Sequence, residues 1–311
     1  LPPSLQLKGP AMTPFPVHDA PEALTIVQHL KAQTLFADAC AAMQGQTSSQ
    51  LLAIALPPGL YQGLQDAAIQ AIEAHGLHGW LSAEGRYDDH NYQSLSLVHN
   101  PDMHDPGVQD VHQATLGTSM NPISEFYYNS VERHRTLKNT YFDSYGFRVR
   151  TPAARLGALG TFLDQCGLTL IRSRLSVLIG ERGITADFMD GWHRDEPVFE
   201  NLRLNIPLTS DPAYRLQIEH AKDTPQADSD TMTEHFLAPG HAYTFNTNIP
   251  HRVYVKEPSN TPRIHLVLGF APWFDHDAQR DSWQANRHFG TTHPFDLLRG
   301  GMLHPDLKAS T

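Results

Sequence analysis

From residue 168 onward the chain is a succession of short segments rich in Leu, Ile and Val, separated by turn residues. In the first segment polar and apolar residues alternate, which is typical of a strand with one polar face. Clusters of Pro, Gly, Asn, Asp and Ser lie between the segments. Short strands at this spacing predict a sandwich or barrel, so we expect a mainly β fold with flanking helices. The segments are 168–179, 202–208, 214–220, 241–246, 251–255 and 263–270.

The rest of the chain carries other patterns. The stretch 85–150 is polar and is expected to be irregular. The apolar run 51–56 predicts a buried strand, and apolar residues at helical spacing predict helices at 20–45, 60–76 and 152–166. We therefore expect an N-terminal α/β region that packs on or extends the core, a β core, and a helical or irregular C-terminal tail. Their expected bounds are 1–165, 166–275 and 276–311.

Charge and composition exclude some classes of function. The formal net charge is −10 with neutral histidines, which argues against binding duplex nucleic acid. The chain has only two cysteines, Cys40 and Cys166, so a reduced compartment is the simpler expectation. Neither a signal peptide nor an apolar stretch of membrane-spanning length is visible. We expect a cytoplasmic protein without a membrane span.

The segment around residues 191–196 carries the clearest chemical signal. His193 and Asp195 are two positions apart, and in a strand such residues point to the same side. A third ligand from another strand is available at His251. Two imidazoles and one carboxylate form a facial triad that leaves metal positions open, which is the ligand set of non-haem Fe(II) oxygenases. The sequence therefore predicts a metal site at these three residues.

An arginine completes the pattern. Arg263 lies 12 residues after His251, on the next predicted strand. A guanidinium group is suited to binding a carboxylate through two hydrogen bonds. We expect Arg263 to lie deep in the barrel, where it would face the metal and hold the far carboxylate of a bound oxo acid.

These pieces, taken in order, resemble a known family. Residues 175–273 look like the aspartyl/asparaginyl β-hydroxylase group of Fe(II)/2-oxoglutarate dioxygenases, which includes cis-acting proline hydroxylases. About a third of the chain is covered, and each piece alone is weakly specific. The matching pieces are His193-Arg194-Asp195, the strand 201–208, the turn 238–246, His251 and Arg263.

The resemblance implies a double-stranded β-helix (jelly-roll or cupin) core, with Fe(II) at the triad and 2-oxoglutarate held by Arg263. Arg203 matches a family position near the co-substrate carboxylates, and Asn205 falls where relatives have His. Ser176 is expected to assist with its hydroxyl. The loop 181–191 is longer than in many relatives and leads into the site, so it is expected to shape the substrate pocket.

The implied reaction is hydroxylation of an unactivated C–H bond, with O2 as oxidant and 2-oxoglutarate decarboxylated to succinate. The substrate class would be an amino acid, a peptidyl residue or a similar polar molecule. Arg172 and Arg174 are candidates for binding an acidic substrate, and salt bridging at a strand end is an equally weighted alternative. The sequence leaves a homodimer open.

Other functions stay open at this point. The same cofactor chemistry on a sugar or lipid headgroup, or a desaturation or cyclisation, would share the first steps. A cupin-type enzyme without 2-oxoglutarate, such as a metal isomerase, is disfavoured by Asp195 and Arg263. A cupin-fold metal-binding sensor without turnover is a further alternative, and the intact triad weighs against it.

Overall fold

The computed structural model describes seven parts of the chain, and all structural statements below refer to them. They are residues 34–44, 50–81, 87–101, 109–115, 144–180, 192–220 and 230–307. Several expectations fall at least partly elsewhere. The loop 181–191, residues 20–33 and 45 of the first predicted helix, and residues 85–86, 102–108 and 116–143 of the stretch expected to be irregular lie outside the described residues.

Short strands account for most of the regular structure. The helices are α1 (Thr34–Gln44), α2 (Pro58–His75), α3 (Gly157–Asp164) and α4 (Pro294–Arg299). Short 3-10 turns occupy Asp110–Thr115, Ser144–Gly146 and Pro152–Arg155. The strands are β1 (Leu52–Ala55), β2 (His78–Leu81), β3 (Tyr87–Ser96), β4 (Val98–His99), β5 (Val149–Arg150), β6 (Thr169–Leu178), β7 (Leu202–Thr209), β8 (Tyr214–Glu219), β9 (Met232–His235), β10 (His241–Thr244), β11 (His251–Val255), β12 (Arg263–Ala271), β13 (Phe274–Asp277) and β14 (Ser282–Ala285).

Two antiparallel sheets form the core. The larger has the strand order β1-β10-β7-β12-β6-β3-β2, and the smaller has the order β11-β8-β9. His193 pairs with His251 of β11, which is an edge strand of the smaller sheet. The segment around His193 therefore extends that edge. From β6 to β12 the chain therefore crosses repeatedly between the two sheets, although β8 and β9 are consecutive and stay in the same sheet. This winding is that of a double-stranded β-helix, and the predicted fold class is confirmed.

The larger sheet has two chemically different faces. On one face Leu175, Leu204 and Leu266 are fully buried in the main apolar cluster, which also contains Leu64 of α2 and Phe162 of α3. Because side chains alternate along a strand, the polar neighbours of these leucines lie on the other face. That second face lines a cavity beside the smaller sheet. The helices thus support the sheet from behind and leave its polar face for the site.

The N-terminal region contributes strands to the same sheet. β1 pairs with β10 at one end, while β3 pairs with β6 and carries β2 at the other. The prediction that 85–150 is irregular is wrong over 87–96, where β3 is ten residues long. Polar Ser94 and Ser96 alternate with apolar Leu95 and Leu97 there, and all four are buried. These polar residues hid the strand pattern of β3, which pairs with a neighbour on each edge. The proposed boundary between an N-terminal region and the core at residue 165 stays a prediction.

The C-terminal segment is more ordered than a loose tail. β13 and β14 form a hairpin, and α4 buries Phe295, Leu297 and Leu298 completely. Its apolar residues are few, but they are grouped on a short helix that joins the main cluster. The expectation of a helical or irregular C-terminal tail over 276–311 stays a prediction.

A bulge interrupts the pairing of β6 with β12. Val267 pairs with Arg174, but the next pair is Gly269 with Ile171. Within the bulge Arg172 has a φ of 29°, a region that residues with a side chain rarely adopt. A Cβ on Gly269 would stand 2.7 Å from the Ile171 carbonyl oxygen, so only glycine fits this close approach. The bulge reorients Arg172, and bulges of this kind are common beside functional sites.

Candidate metal centre

Backbone pairing brings the two histidines together. The His193 amide donates to the His251 carbonyl at 3.0 Å, and the His251 amide donates back to the His193 carbonyl at 3.0 Å. Their ring centroids are 4.3 Å apart. The pair therefore links the first strand of the smaller sheet to the segment that also carries Asp195.

A second set of hydrogen bonds fixes the segment around Asp195. The Asp195 amide donates to the Thr247 carbonyl at 2.8 Å, and the Asn248 side-chain amide donates to the Asp195 carbonyl at 3.0 Å. The Thr247 hydroxyl donates to the Glu196 carbonyl at 3.0 Å. The turn before β11 thus holds the backbone of Asp195 through two bonds and that of Glu196 through a third.

The three side chains fit a divalent transition metal. Ligand atoms of His193, Asp195 and His251 all lie within 4.8 Å of one another, and this is the one such group among the described residues. The His251 Nδ1 lies 2.9 Å from the Ile249 carbonyl, which can only accept, so Nδ1 carries the proton. Its Nε2 is therefore left with a lone pair for the metal. Two imidazoles and one carboxylate, all from protein, match the facial triad of non-haem Fe(II) sites.

The carboxylate is kept ionised by its neighbours. Burial alone would raise the pKa of Asp195, but the Arg203 guanidinium and the two histidines outweigh it and hold this pKa well below its usual range. Arg203 donates directly to Asp195 through Nη1. A metal ligand must be deprotonated, so this arrangement prepares the site for a cation.

A cationic pocket lies beside the triad in the same cavity. Arg263 is buried, and burial lowers its pKa to about 10, which leaves it charged at neutral pH. The Ser176 hydroxyl donates to the Tyr92 hydroxyl at 2.8 Å. Burial would raise the pKa of Tyr92, but Arg174, Ser176 and Arg263 outweigh burial and lower it. Buried cations and hydroxyls that converge in this way favour an anionic ligand.

His265 supports this pocket from the side. Arg263 donates to the His265 Nδ1 at 2.9 Å, because a guanidinium cannot accept. Burial and the Arg263 charge hold the pKa of His265 well below its ordinary value, so the ring is neutral. His265 therefore orients Arg263 without adding charge.

The predicted site residues can now be placed. All except Arg172 line one cavity, and Arg172 instead places its Nη1 3.3 Å from a Glu196 carboxylate oxygen. The predicted residues that line the cavity are His193, Asp195, His251, Arg263, Arg203, Ser176, Asn205 and Arg174. The individual roles assigned to them in co-substrate and substrate binding stay predictions.

Comparison with known proteins gives only distant likenesses. No protein-family model matches the chain, and no curated protein matches it. A Pseudomonas putida prolyl-4-hydroxylase shares 14% identity over 76% of this chain and 98% of its own, with a TM-score of 0.36. The α-ketoglutarate-dependent epimerase SnoN from nogalamycin biosynthesis shares 10% over 76% and 80%, with a TM-score of 0.38. A Trichoplax adhaerens prolyl hydroxylase, in complex with a hypoxia-inducible-factor peptide, shares 9% over 78% and 92%, with a TM-score of 0.36. Because these values are low, function is inferred below from the site itself.

Two residues of the site are absent from the sequence-based prediction. Tyr92 comes from β3, which was read as irregular, and the alternation around Ser94 was the available signal. Glu196 follows Asp195 directly, yet its side chain is only 9% exposed and is paired with arginines. A charged residue next to a ligand ordinarily faces solvent, so its burial had no signal in the sequence.

Among the described residues, no helix combines the length and the apolar character needed to cross a membrane.

Proposed function

We propose that the chain is a non-haem Fe(II) oxygenase that uses 2-oxoglutarate and hydroxylates an unactivated C–H bond. The observation that carries this proposal is the facial triad in one cavity with a buried arginine. Fe(II) with O2 and 2-oxoglutarate would supply the oxidation, converting the C–H group to an alcohol while 2-oxoglutarate is released as succinate and CO2. The remaining steps below are the work of the protein's own residues.

His193, Asp195 and His251 are proposed to hold the metal from one side. The double backbone pairing and the bonds from the turn before β11 fix their positions before any ligand arrives. A preorganised ligand set loses little freedom on binding. The three open positions would be left for the co-substrate and O2.

Arg263 is proposed to bind the distal carboxylate of 2-oxoglutarate. It is 6% exposed and carries its charge in a low-dielectric setting, where a charge-assisted hydrogen bond is strong. Ser176 and Tyr92 offer hydroxyls beside it. Arg203, which donates to Asp195, and Asn205 also line the cavity, and we propose that they face the other end of the co-substrate.

The cavity walls are proposed to keep water away from the metal. Apolar side chains from both sheets close the space around the polar groups, and Phe245 packs edge-on against His251 with centroids 5.0 Å apart. Exclusion of water strengthens the electrostatic interactions inside and limits side reactions. The apolar residues that line the cavity are Leu216, Leu237, Phe245, Val253 and Val267.

The finer assignments are also proposals. We propose a polar substrate of the amino-acid or peptidyl class, in line with the resemblance to aspartyl/asparaginyl β-hydroxylases, and a cytoplasmic protein. Arg174 lines the cavity and is the better placed of the two candidate substrate arginines. Arg172 faces Glu196, which fits the alternative of a salt bridge for that residue.

The test is an Fe(II)-dependence experiment with matched histidine variants. Wild type should bind one equivalent of Fe(II) anaerobically and, in air, release succinate from 2-oxoglutarate even without the true substrate. His193→Ala should lose both. The control is His241→Ala, because the His241 ring lies near the Pro239 carbonyl and outside the cavity. This variant should keep both Fe(II) binding and succinate release. Succinate release that is unchanged in His193→Ala would contradict the proposal, and Fe(II) binding without succinate release would favour the sensor alternative.

A further inference from the structure

A buried carboxylate beside the metal ligands has no part in the function proposed above. Glu196 follows Asp195 and is 9% exposed. It accepts hydrogen bonds from Arg203 Nη2 at 3.1 Å, from Arg172 Nη1 at 3.3 Å and from the Ser144 hydroxyl. Burial of a charge costs free energy unless the charge is paired and hydrogen-bonded. The three donors around Glu196 supply that pairing.

Arg203 connects this carboxylate to the metal ligand. Its Nη1 donates to Asp195 while its Nη2 donates to Glu196, and the arginine itself is 5% exposed. The planar guanidinium fork therefore spans two consecutive carboxylates. With one branch held by Glu196, the other branch sets the orientation of the Asp195 carboxylate.

The neighbouring backbone is shaped around the same group. Arg172 lies within the bulge of β6 and has a φ of 29°, and its guanidinium donates to Glu196. Opposite the bulge, a Cβ on Gly269 would stand 2.6 Å from Asn201 Oδ1. The Asn201 Nδ2 donates to Glu196 Oε2 at 3.5 Å. Strained backbone of this kind persists only where the surrounding structure holds it in place, and it is often found at functional sites. The bulge thus places Arg172 beside Glu196, and the close approach at Gly269 leaves room for Asn201 to contact the same carboxylate.

Charge balance gives Glu196 a second effect. The buried cluster holds two cations, Arg172 and Arg203, and two anions, Asp195 and Glu196. Without Glu196 an incoming divalent metal would face an excess of positive charge at close range in a poorly screened environment. With Glu196 the two arginines are neutralised, and the cation meets a site that favours it.

We propose that Glu196 is a positioning residue of the metal centre, which holds Arg203 against Asp195 and neutralises the two buried arginines. This inference rests on the metal site of the proposed function. Glu196 is not one of the three grouped candidate ligands and does not line the cavity. Its removal should therefore change metal affinity and ligand geometry rather than abolish the site, because the three ligands remain.

The experiment measures Co(II) binding to the full chain by titration, with the d–d absorption of Co(II) as a report on ligand geometry. Glu196→Gln keeps the shape and one acceptor oxygen but removes the charge. We expect its Kd for Co(II) to rise about 10–100-fold, with an altered d–d spectrum. Arg203→Lys keeps a positive charge but loses the fork, and a rise in Kd is expected there as well.

Glu234→Gln is the matched control. Glu234 is also a carboxylate paired with an arginine, Arg215, but it lies outside the cavity, so its Kd and spectrum should equal those of wild type. Wild-type Kd and spectrum in Glu196→Gln would overturn the inference. Should that variant fail to fold, as judged by circular dichroism, an unchanged Kd in Arg203→Lys would overturn it. Failure of wild type to bind Co(II) would instead refute the metal site of the proposed function.

Discussion

At the scale of single residues, the proposed site has two parts, a metal-binding half and an anion-binding half. The triad ligands come from the edge of the smaller sheet, whereas Arg263 and Ser176 come from the polar face of the larger one. Because the two halves stand on different sheets, loss of Arg263 should leave the three candidate metal ligands in place. Substitutions can therefore assign each half its own ligand.

Arg263→Ala should weaken 2-oxoglutarate binding without weakening metal binding. A charge-assisted hydrogen-bonded contact contributes about 1.5–3 kcal/mol, so the Kd for 2-oxoglutarate should rise roughly 10–100-fold. Isothermal titration of the Mn(II)-loaded protein measures this. Arg215→Ala removes an arginine outside the cavity and serves as control. An equal loss of Mn(II) affinity in Arg263→Ala would contradict the division into two halves.

The sequence identified the ligands better than their surroundings. The grouping of His193, Asp195 and His251 could be predicted because ligand chemistry restricts the residue types, although His193 lies on an isolated bridge and not in a strand. The contacts of Glu196 depend on a bulge and on a strained backbone, which no local pattern encodes. Tyr92 was missed for a related reason, since β3 is paired on both sides and its polar Ser94 and Ser96 are buried. Tertiary context decides such positions.

At the scale of elements, the bulge between β6 and β12 is the feature that sets the backbone conformation of Arg172. Strands with clear turn residues around them, such as β7, β8, β10, β11 and β12, were predicted from the sequence with nearly correct ends. The bulge was not predicted, because it arises from pairing between strands that are far apart in the chain. Gly269 is its necessary residue, since backbone and Asn201 approach it closely.

Gly269→Ala should destabilise the protein, whereas Gly59→Ala should not. A methyl group on Gly269 would overlap two groups at 2.6 and 2.7 Å, and such overpacking costs about 1–3 kcal/mol. At Gly59, in the first turn of α2, nothing lies within 4 Å of the added Cβ, and alanine is the better helix former by up to about 1 kcal/mol. Urea unfolding of both variants measures the difference. Equal stability of Gly269→Ala and wild type would contradict the role of the bulge.

At the scale of the whole molecule, the site lies where two sheets and the N-terminal region meet. β3 supplies Tyr92, the larger sheet supplies the anion-binding half, and the smaller sheet with its edge segment supplies the metal ligands. A ligand that contacts all three parts binds the folded chain and not the unfolded one. Its binding must therefore raise the free energy of unfolding of the molecule as a whole.

Thermal unfolding should show that the two ligands depend on each other. Mn(II) at 100 times its Kd should add about 2.7 kcal/mol, which for a chain of 311 residues corresponds to a rise in Tm of roughly 4 °C. 2-Oxoglutarate should add a further rise when Mn(II) is present and a much smaller one when it is absent, because chelation needs the metal. The same rise with 2-oxoglutarate in the presence and absence of Mn(II) would contradict a shared site. In His193→Ala both ligands should lose most of their effect.

The most direct measurement of the central claim is anaerobic absorption spectroscopy. Fe(II) and 2-oxoglutarate are added to the purified protein, and the visible region is searched for the weak metal-to-ligand charge-transfer band of a 2-oxo acid chelated to Fe(II). The band should form with wild type, be lost in His193→Ala, and need a higher 2-oxoglutarate concentration in Arg263→Ala. Tight Fe(II) binding by wild type without the band at saturating 2-oxoglutarate would contradict the account and indicate a different metal chemistry in the same barrel.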